Sequence, residues 1–145
     1  MIIVDANVLL YAYMPGFQQH QRAVEWLEDT LSEGTDAIGI IWHVATAFLR
    51  LSTNRRIFDE PFTGEIARSK LDELFAHPLV AAVVPTDRHW KIYSALLADL
   101  NLSGDIVMDA HIASVAIEHG ASVASTDKDF RRFSDHVKVI DPFAK

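Results

Sequence analysis

Three aspartates, far apart in the chain, stand where carboxylates can do chemistry. Asp5 directly follows the apolar run Met1–Val4, Asp127 comes two residues after the apolar run Ser122–Ser125, and Asp109 falls in the first turn of a helix that follows Gly104. Hydrolysis of a phosphodiester needs a nucleophilic water and a stabilised leaving oxygen, and one or two hard divalent cations supply both. Magnesium and manganese prefer carboxylate oxygens and keep several of their waters. Convergent aspartates suit such an ion. Asn7, two residues beyond Asp5, can orient a carboxylate or a bound water. Asp105 and Asp129 are further candidate acids, Asp105 lying one helical turn before Asp109 if that helix begins early. Each acid also has a plainer reading. Asp5 and Asp127 can cap the helices that follow them, Asp109 can complement a helix dipole, and Asp129 can be a solvated acid. Arg50, Arg55 and Arg56 form a candidate phosphate-contacting set, the plainer alternative being a solvated helix end. Lys128, Arg131 and Arg132 suit RNA, a protein partner's acids or water equally. His43 and His111 read as packed or hydrogen-bonded histidines, and Trp26, Trp42 and Trp90 as core or dimer contacts.

The elements that must position these residues follow from periodicity. Met1–Val4 reads as a buried strand and Asn7–Met14 as a helix closed by Pro15-Gly16. His20–Glu33 carries Ala23, Val24, Leu27 and Leu31 on one face and stops at Gly34. Ala37–Ile41 is a second strand and His43–Leu51 a helix, followed by a loop over Ser52–Pro61. Thr63 caps a helix to about Phe75, Leu79–Val84 is a third strand, and Asp87 caps a helix to about Leu100. After the loop Asn101–Asp105 come a helix over Val107–His119, a strand over Ser122–Ser125, a helical turn over Asp129–Phe133 and a fifth strand over Val137–Ile140. This alternation predicts an α/β fold in one domain over residues 1–145, with about five mainly parallel strands and helices on both faces. Ligands in such open sheets bind beyond the carboxyl ends of the strands, and there Asp5, Asp109 and Asp127 can meet.

Composition bounds the function. The chain has 145 residues, 50% hydrophobic and 23% charged, and no cysteine. Disulfides, thiolate zinc sites and cysteine nucleophiles are excluded. The apolar start of the chain is broken by Asp5 and Asn7 and is too short to span a bilayer, so a cytoplasmic location and no membrane are expected. The net charge of −7 runs against the basic character usual in nucleic-acid binders. The conflict eases if several acids surround a cation that offsets their charge.

The stretches Ile2-Ile3-Val4-Asp5-Ala6-Asn7, Asp109-Ala110-His111-Ile112-Ala113 and Thr126-Asp127-Lys128-Asp129-Phe130 resemble, in order and spacing, three motifs of PIN domains. They are most similar to those of the VapC ribonuclease toxins of bacterial toxin–antitoxin pairs. Trp42–Phe58, with Phe48-Leu49-Arg50 and Thr53-Asn54-Arg55-Arg56, resembles one branch of that family. The resemblance covers the whole chain. It implies a parallel-sheet PIN fold, a Mg2+ or Mn2+ site at Asp5, Asp109 and Asp127, cleavage of RNA, a homodimer and a cognate antitoxin protein as partner. One position departs from the pattern: where many PIN toxins carry a glutamate just before Phe-Leu-Arg, this chain has Ala47, and no acid lies between Asp36 and Asp59. Asp105 or Asp129 is then the candidate replacement.

Two readings from other classes stand beside the endoribonuclease toxin. A PIN-fold RNA- or protein-binding module with weak or lost catalysis rests on Ala47. An acid-cluster phosphatase ranks lower, because Asn7 occupies the place where such enzymes put a second aspartate.

Overall fold

A computed structural model describes residues 1–144. The first strand, β1 (Ile2–Val4), is followed by α1 (Ala6–Tyr13), α2 (His20–Glu33), β2 (Ile38–Ile41), α3 (Trp42–Ser52), α4 (Gly64–Ala76) and β3 (Val80–Val83). The chain continues through α5 (His89–Asp99), α6 (Ile106–Glu118), β4 (Ser122–Ala124), a 3-10 helix (Lys128–Phe133) and β5 (Val139–Ile140). The five strands form one parallel sheet in the order β3-β2-β1-β4-β5. The α/β alternation therefore gave the class and the strand number correctly.

β1 holds the centre of the sheet, as its unbroken apolar run requires. Ile2, Ile3 and Val4 are all buried, a pattern produced only when helices cover both faces. In register, Ile3 lies opposite Gly39 of β2 and Val123 of β4. The core around this sheet draws on every helix. Val8 and Leu9 come from α1, Ala23 and Leu27 from α2, Val44 and Phe48 from α3, and Ile112, Ala113 and Val115 from α6. Gly34 ends α2 at φ 68°, a left-handed turn that a side chain would strain.

The strand order sets the position of any ligand site. The chain runs outward from β1 to β2 and β3, then returns across the sheet to β4 on the opposite side of β1. The connections thus diverge between β1 and β4, opening a crevice at their carboxyl ends. Asp5 leaves β1 into that crevice, and Ser125 to Asp127 leave β4 into it.

One local expectation fails. Helix α5 begins at His89 with Arg88 in the capping position and no side-chain cap, so Asp87 does not start it. Thr86 organises this turn instead: its carbonyl accepts from His89 N–H, and its hydroxyl accepts from Arg88 N–H at 3.2 Å. Trp42 and Trp90 are 56% and 71% exposed, so of the two roles expected for them, core or dimer contact, the core is excluded. Among the described residues, no helix is long and apolar enough to cross a membrane.

Candidate metal centre

Asp5 is the pivot of the crevice, and it is buried. It caps α1, its Oδ1 accepting from Ala6 N–H at 2.7 Å, so the plain capping reading is correct as far as it goes. Its second oxygen, Oδ2, accepts from the Ser125 hydroxyl at 2.7 Å. Each carboxylate oxygen retains a further lone pair, so capping does not use up the group's capacity to bind an ion. Burial pushes the Asp5 carboxyl above its ordinary range. Bonds from Ser125 and Ala6 pull it back, the Asp127 charge raises it again, and His43 lowers it.

Ser125 ties the two central strands together at this edge. Its Oγ donates to Asp5 and accepts from Asp127 N–H at 3.0 Å. Asn7 Nδ2 reaches the same oxygen at 3.5 Å, while Asn7 Oδ1 accepts from Thr126 N–H at 3.4 Å. Asn7 therefore orients the segment after β4 and does not bond Asp5 directly. Asp127 in turn caps the 3-10 helix, its Oδ1 accepting from Asp129 N–H at 2.9 Å. This short turn folds Asp129 back beside Asp127.

Three acids then come together. Asp109, Asp127 and Asp129 each offer a carboxylate oxygen, and these oxygens lie within 4.8 Å of one another. Asp109, half-buried in the first turn of α6, is the most perturbed of the group. Burial first, then the charges of Asp5, Asp127 and Asp129, push its carboxyl up to about 7. Asp5 thus belongs electrostatically to the cluster but lies outside the tight trio. An unfavourable assembly of like charges is what a cation relieves. The donor set is all carboxylate oxygen, which matches a hard divalent ion and not a soft one.

The remaining candidates separate clearly. Asp105 is exposed, takes the capping position of α6 with no side-chain capping bond, and is not among the charges acting on Asp109. Asp129 is therefore the additional acid that geometry joins to the cluster. Arg50 lies seven residues beyond His43 on α3, roughly 10 Å along the helix axis. Arg55 and Arg56 follow in the turn after it, where Arg56 N–H donates to Asn54 Oδ1 at 2.8 Å. All three arginines are exposed and stand toward the end of α3 remote from His43. Ala47 is half-buried and packs against the core, so α3 adds no carboxylate.

Sequence reasoning missed Ser125, whose signal was present as a hydroxyl two residues before Asp127. It also set aside the histidines. His43 acts on Asp5 through its charge. The His111 ring lies 5.8 Å from that of His43 and 4.9 Å from that of His89. Burial and the two neighbouring histidines push His111 below its ordinary range.

Parallel order 3-2-1-4-5 with acids gathered at the crevice between β1 and β4 defines a class, and comparison with known proteins agrees. The chain belongs to the PIN domain family, which it matches over residues 2–135. Within that family its relatives are VapC proteins. It is 41% identical over 133 residues to Ribonuclease VapC37 of Mycobacterium tuberculosis, covering 92% of each chain. It is 37% identical over 142 residues to Ribonuclease VapC33 of the same species, covering 98% of each. Among solved structures, VapBC-1 from nontypeable Haemophilus influenzae shares the fold at a TM-score of 0.72 and 16% identity, over 99% of this chain and 100% of that one. VapBC2 from Rickettsia felis, solved with a DNA fragment from its promoter, does so at 0.71 and 20% identity, over 97% and 98%.

Proposed function

We propose that the chain is an endoribonuclease, the toxin of a toxin–antitoxin pair, whose hydrolysis of RNA phosphodiesters depends on Mg2+ or Mn2+ at the aspartate cluster. The observation that carries this reading is the meeting of Asp109, Asp127 and Asp129 within 4.8 Å, with Asp5 buried beside them. Relatives named ribonuclease at 41% and 37% identity support the RNA substrate. Neighbours solved as VapBC complexes support a cognate antitoxin as protein partner, and we extend the reading to a homodimer. One domain over residues 1–145 and a cytoplasmic location complete it.

Asp109, Asp127 and Asp129 are the residues that would hold the ion, with Asp5 contributing through its free lone pairs. When bound, such an ion generates a nucleophilic water and stabilises the leaving oxygen. The rest falls to the chain itself. Asp5 is kept in one orientation by Ser125 and Ala6, so its negative charge is aimed at the crevice without rotamer loss. Asn7 and Ser125 fix the segment that carries Asp127. Asp129 supplies the carboxylate that Ala47 does not, which favours an active enzyme over a module that only binds. Arg50, Arg55 and Arg56 are assigned to RNA phosphates beyond the cluster, where exposed guanidinium groups add affinity without reading sequence.

Purified protein should cut total RNA when Mn2+ or Mg2+ is present and stop on addition of a chelator. Asp5→Asn removes charge at nearly constant shape and should abolish cutting. Undiminished cleavage by that variant sinks the mechanism.

A further inference from the structure

An exposed aromatic pair stands next to the helix that carries Asp109, and the ribonuclease reading does not use it. Trp90 is 71% exposed. Its indole stacks on the ring of Tyr93, with centroids 6.2 Å apart and planes 28° from parallel. Tyr93 is in turn clamped to α6. Its hydroxyl donates to the Val107 carbonyl at 2.6 Å, and its ring packs against those of His89 and His111, with centroids 5.4 and 5.6 Å away. Val107 and Asp109 share the opening turn of α6, two residues and roughly 3 Å of helix rise apart. Met108, between them, is 50% exposed. The indole is thus braced against the turn that presents Asp109 to the other acids.

An indole left in water forgoes the burial that aromatic side chains bring to a core. What the pair offers instead is a flat face held at a fixed angle, with its outer side open. An unpaired nucleobase stacks on such a face. Charge favours the same occupant. The chain has 13 Lys and Arg against 20 Asp and Glu, so phosphate attraction, the usual source of affinity for nucleic acid, is weak over the molecule as a whole. Stacking needs no charge. The surroundings of Trp90 also depart from the acidic average. Helix α5 carries no acid before Asp99. Lys91, next to Trp90, is exposed, and among the described residues no carboxylate pairs with it. A free ammonium beside an open indole suits a nucleotide, whose base takes the ring and whose phosphate takes the charge. It suits the centre of a contact between two copies of the chain less well, since lysine is depleted there.

We propose that Trp90, braced by Tyr93, is the stacking platform for one unpaired base of the RNA, held next to the phosphodiester at the acid cluster. The identity of the ligand rests on the ribonuclease reading. Trp90 is then a substrate-binding residue that selects single-stranded RNA, because bases within a duplex already stack on their neighbours and present no free face.

Fluorescence anisotropy of a short labelled single-stranded RNA measures binding, with chelator present so that nothing is cut. Trp90→Ala should weaken binding about tenfold or more, the scale of one base–aromatic stack. Trp90→Phe keeps a ring and should restore most of the loss. The same RNA with an abasic ribose at one position at a time locates the stack. At one position, loss of the base should weaken binding to the unaltered protein by a similar factor and change binding to Trp90→Ala little, because its partner is already gone. With Mn2+, Trp90→Ala should raise KM by that factor at nearly constant kcat, as a lost binding contact does. Should Trp90→Ala not fold, Trp90→Leu decides, since it keeps apolar bulk without a ring. Absence of any position with this coupling overturns the proposal, and so does a duplex of the same sequence that binds as tightly as the single strand. A loss of binding in Trp90→Ala that accompanies a fall in sedimentation mass from dimer to monomer also overturns it, and would assign the indole to a second copy of the chain. Coupling at Trp90 in a protein that fails to cut RNA with Mn2+ would instead overturn the ribonuclease reading and leave the stacking site standing.

Discussion

Asp109 carries the largest electrostatic burden of any residue at the site, and its protonation couples the site to stability. In the metal-free protein its carboxyl is raised from 3.8 to about 7, by burial and then by three neighbouring acids. The folded state therefore holds this proton more tightly than the unfolded chain does. Its stabilising contribution is fully present below pH 3.8 and is lost as pH rises toward and through 7. Asp109→Asn removes the titration. With chelator present, the stability of the unaltered protein relative to Asp109→Asn should fall between about pH 4 and 7, measured by urea unfolding at each pH. A difference that is flat or rises across that window contradicts the burial and crowding described for Asp109. Ser125 is the second residue with a disproportionate role, since one hydroxyl serves Asp5, Asp127 and Asn7. Ser125→Ala should cost about 1–3 kcal/mol, the desolvation penalty of buried partners left short, and should weaken Mn2+ binding as well. The choice between the two further acids is tested by the same titration. Asp129→Asn should weaken Mn2+ binding by about tenfold or more, the scale on which supporting groups tune metal sites, while Asp105→Asn should change it little. The reverse ranking would return Asp105 to the place proposed here for Asp129.

At the scale of elements, what was readable in the sequence depended on local pattern. β1 and β2 were legible as unbroken apolar runs, α2 by its 3.6-residue stripe and its Gly34 stop, and α4 by Thr63, whose hydroxyl accepts from Ile66 N–H at 3.2 Å. The start of α5 was not legible. Asp87 has the residue type of a cap, but Thr86 is held by Glu118 from α6, and this tertiary bond shifts the turn by a residue. Register is the other property that a single strand does not reveal. Gly39 shows its consequence. A Cβ there would meet Ile3 Cδ1 at 2.6 Å and Val83 Cγ2 at 2.8 Å, so β2 can lie between β1 and β3 only because this position has no side chain. The Ile3 terminus can swing aside, but the branched Val83 has little freedom to do so. Gly39→Ala should destabilise by about 1–3 kcal/mol, as overpacked core positions do. For a chain of this size that lowers the melting temperature by roughly 2–4 °C per kcal/mol. An unchanged melting temperature would mean that the strands can part at no cost.

Across the whole molecule, the acid cluster forms because the topology brings together what the sequence keeps apart. Asp109 and Asp127 were legible as acids that could meet, since one opens a helix and the other follows a strand, but the acid that joins them within 4.8 Å is Asp129, and Asp5, expected in the same set, lies outside that trio. The order of the strands, and with it the crevice between β1 and β4, was not legible, because pairing is decided by contacts between distant segments. For the same reason the approach of the three histidines escaped notice: His43, His89 and His111 have no common spacing and meet only when α3, α5 and α6 pack. The assembled crevice also gives physical content to the net charge of −7. Part of that charge is concentrated in four acids whose mutual repulsion the fold sustains. A divalent cation that binds the folded cluster and not the dispersed chain must stabilise the fold by mass action. At a free concentration about 100 times its dissociation constant the gain is about 2.7 kcal/mol, or roughly 5–10 °C in melting temperature at the conversion for this size. Mn2+ should produce this shift, a chelator should reverse it, and the monovalent salt that matches its ionic strength should not reproduce it. The Asp109→Asn, Asp127→Asn double variant should melt at nearly the same temperature with and without Mn2+. If that variant gains as much from Mn2+ as the unaltered protein, the ion binds elsewhere, and the crevice between β1 and β4 is not the metal centre.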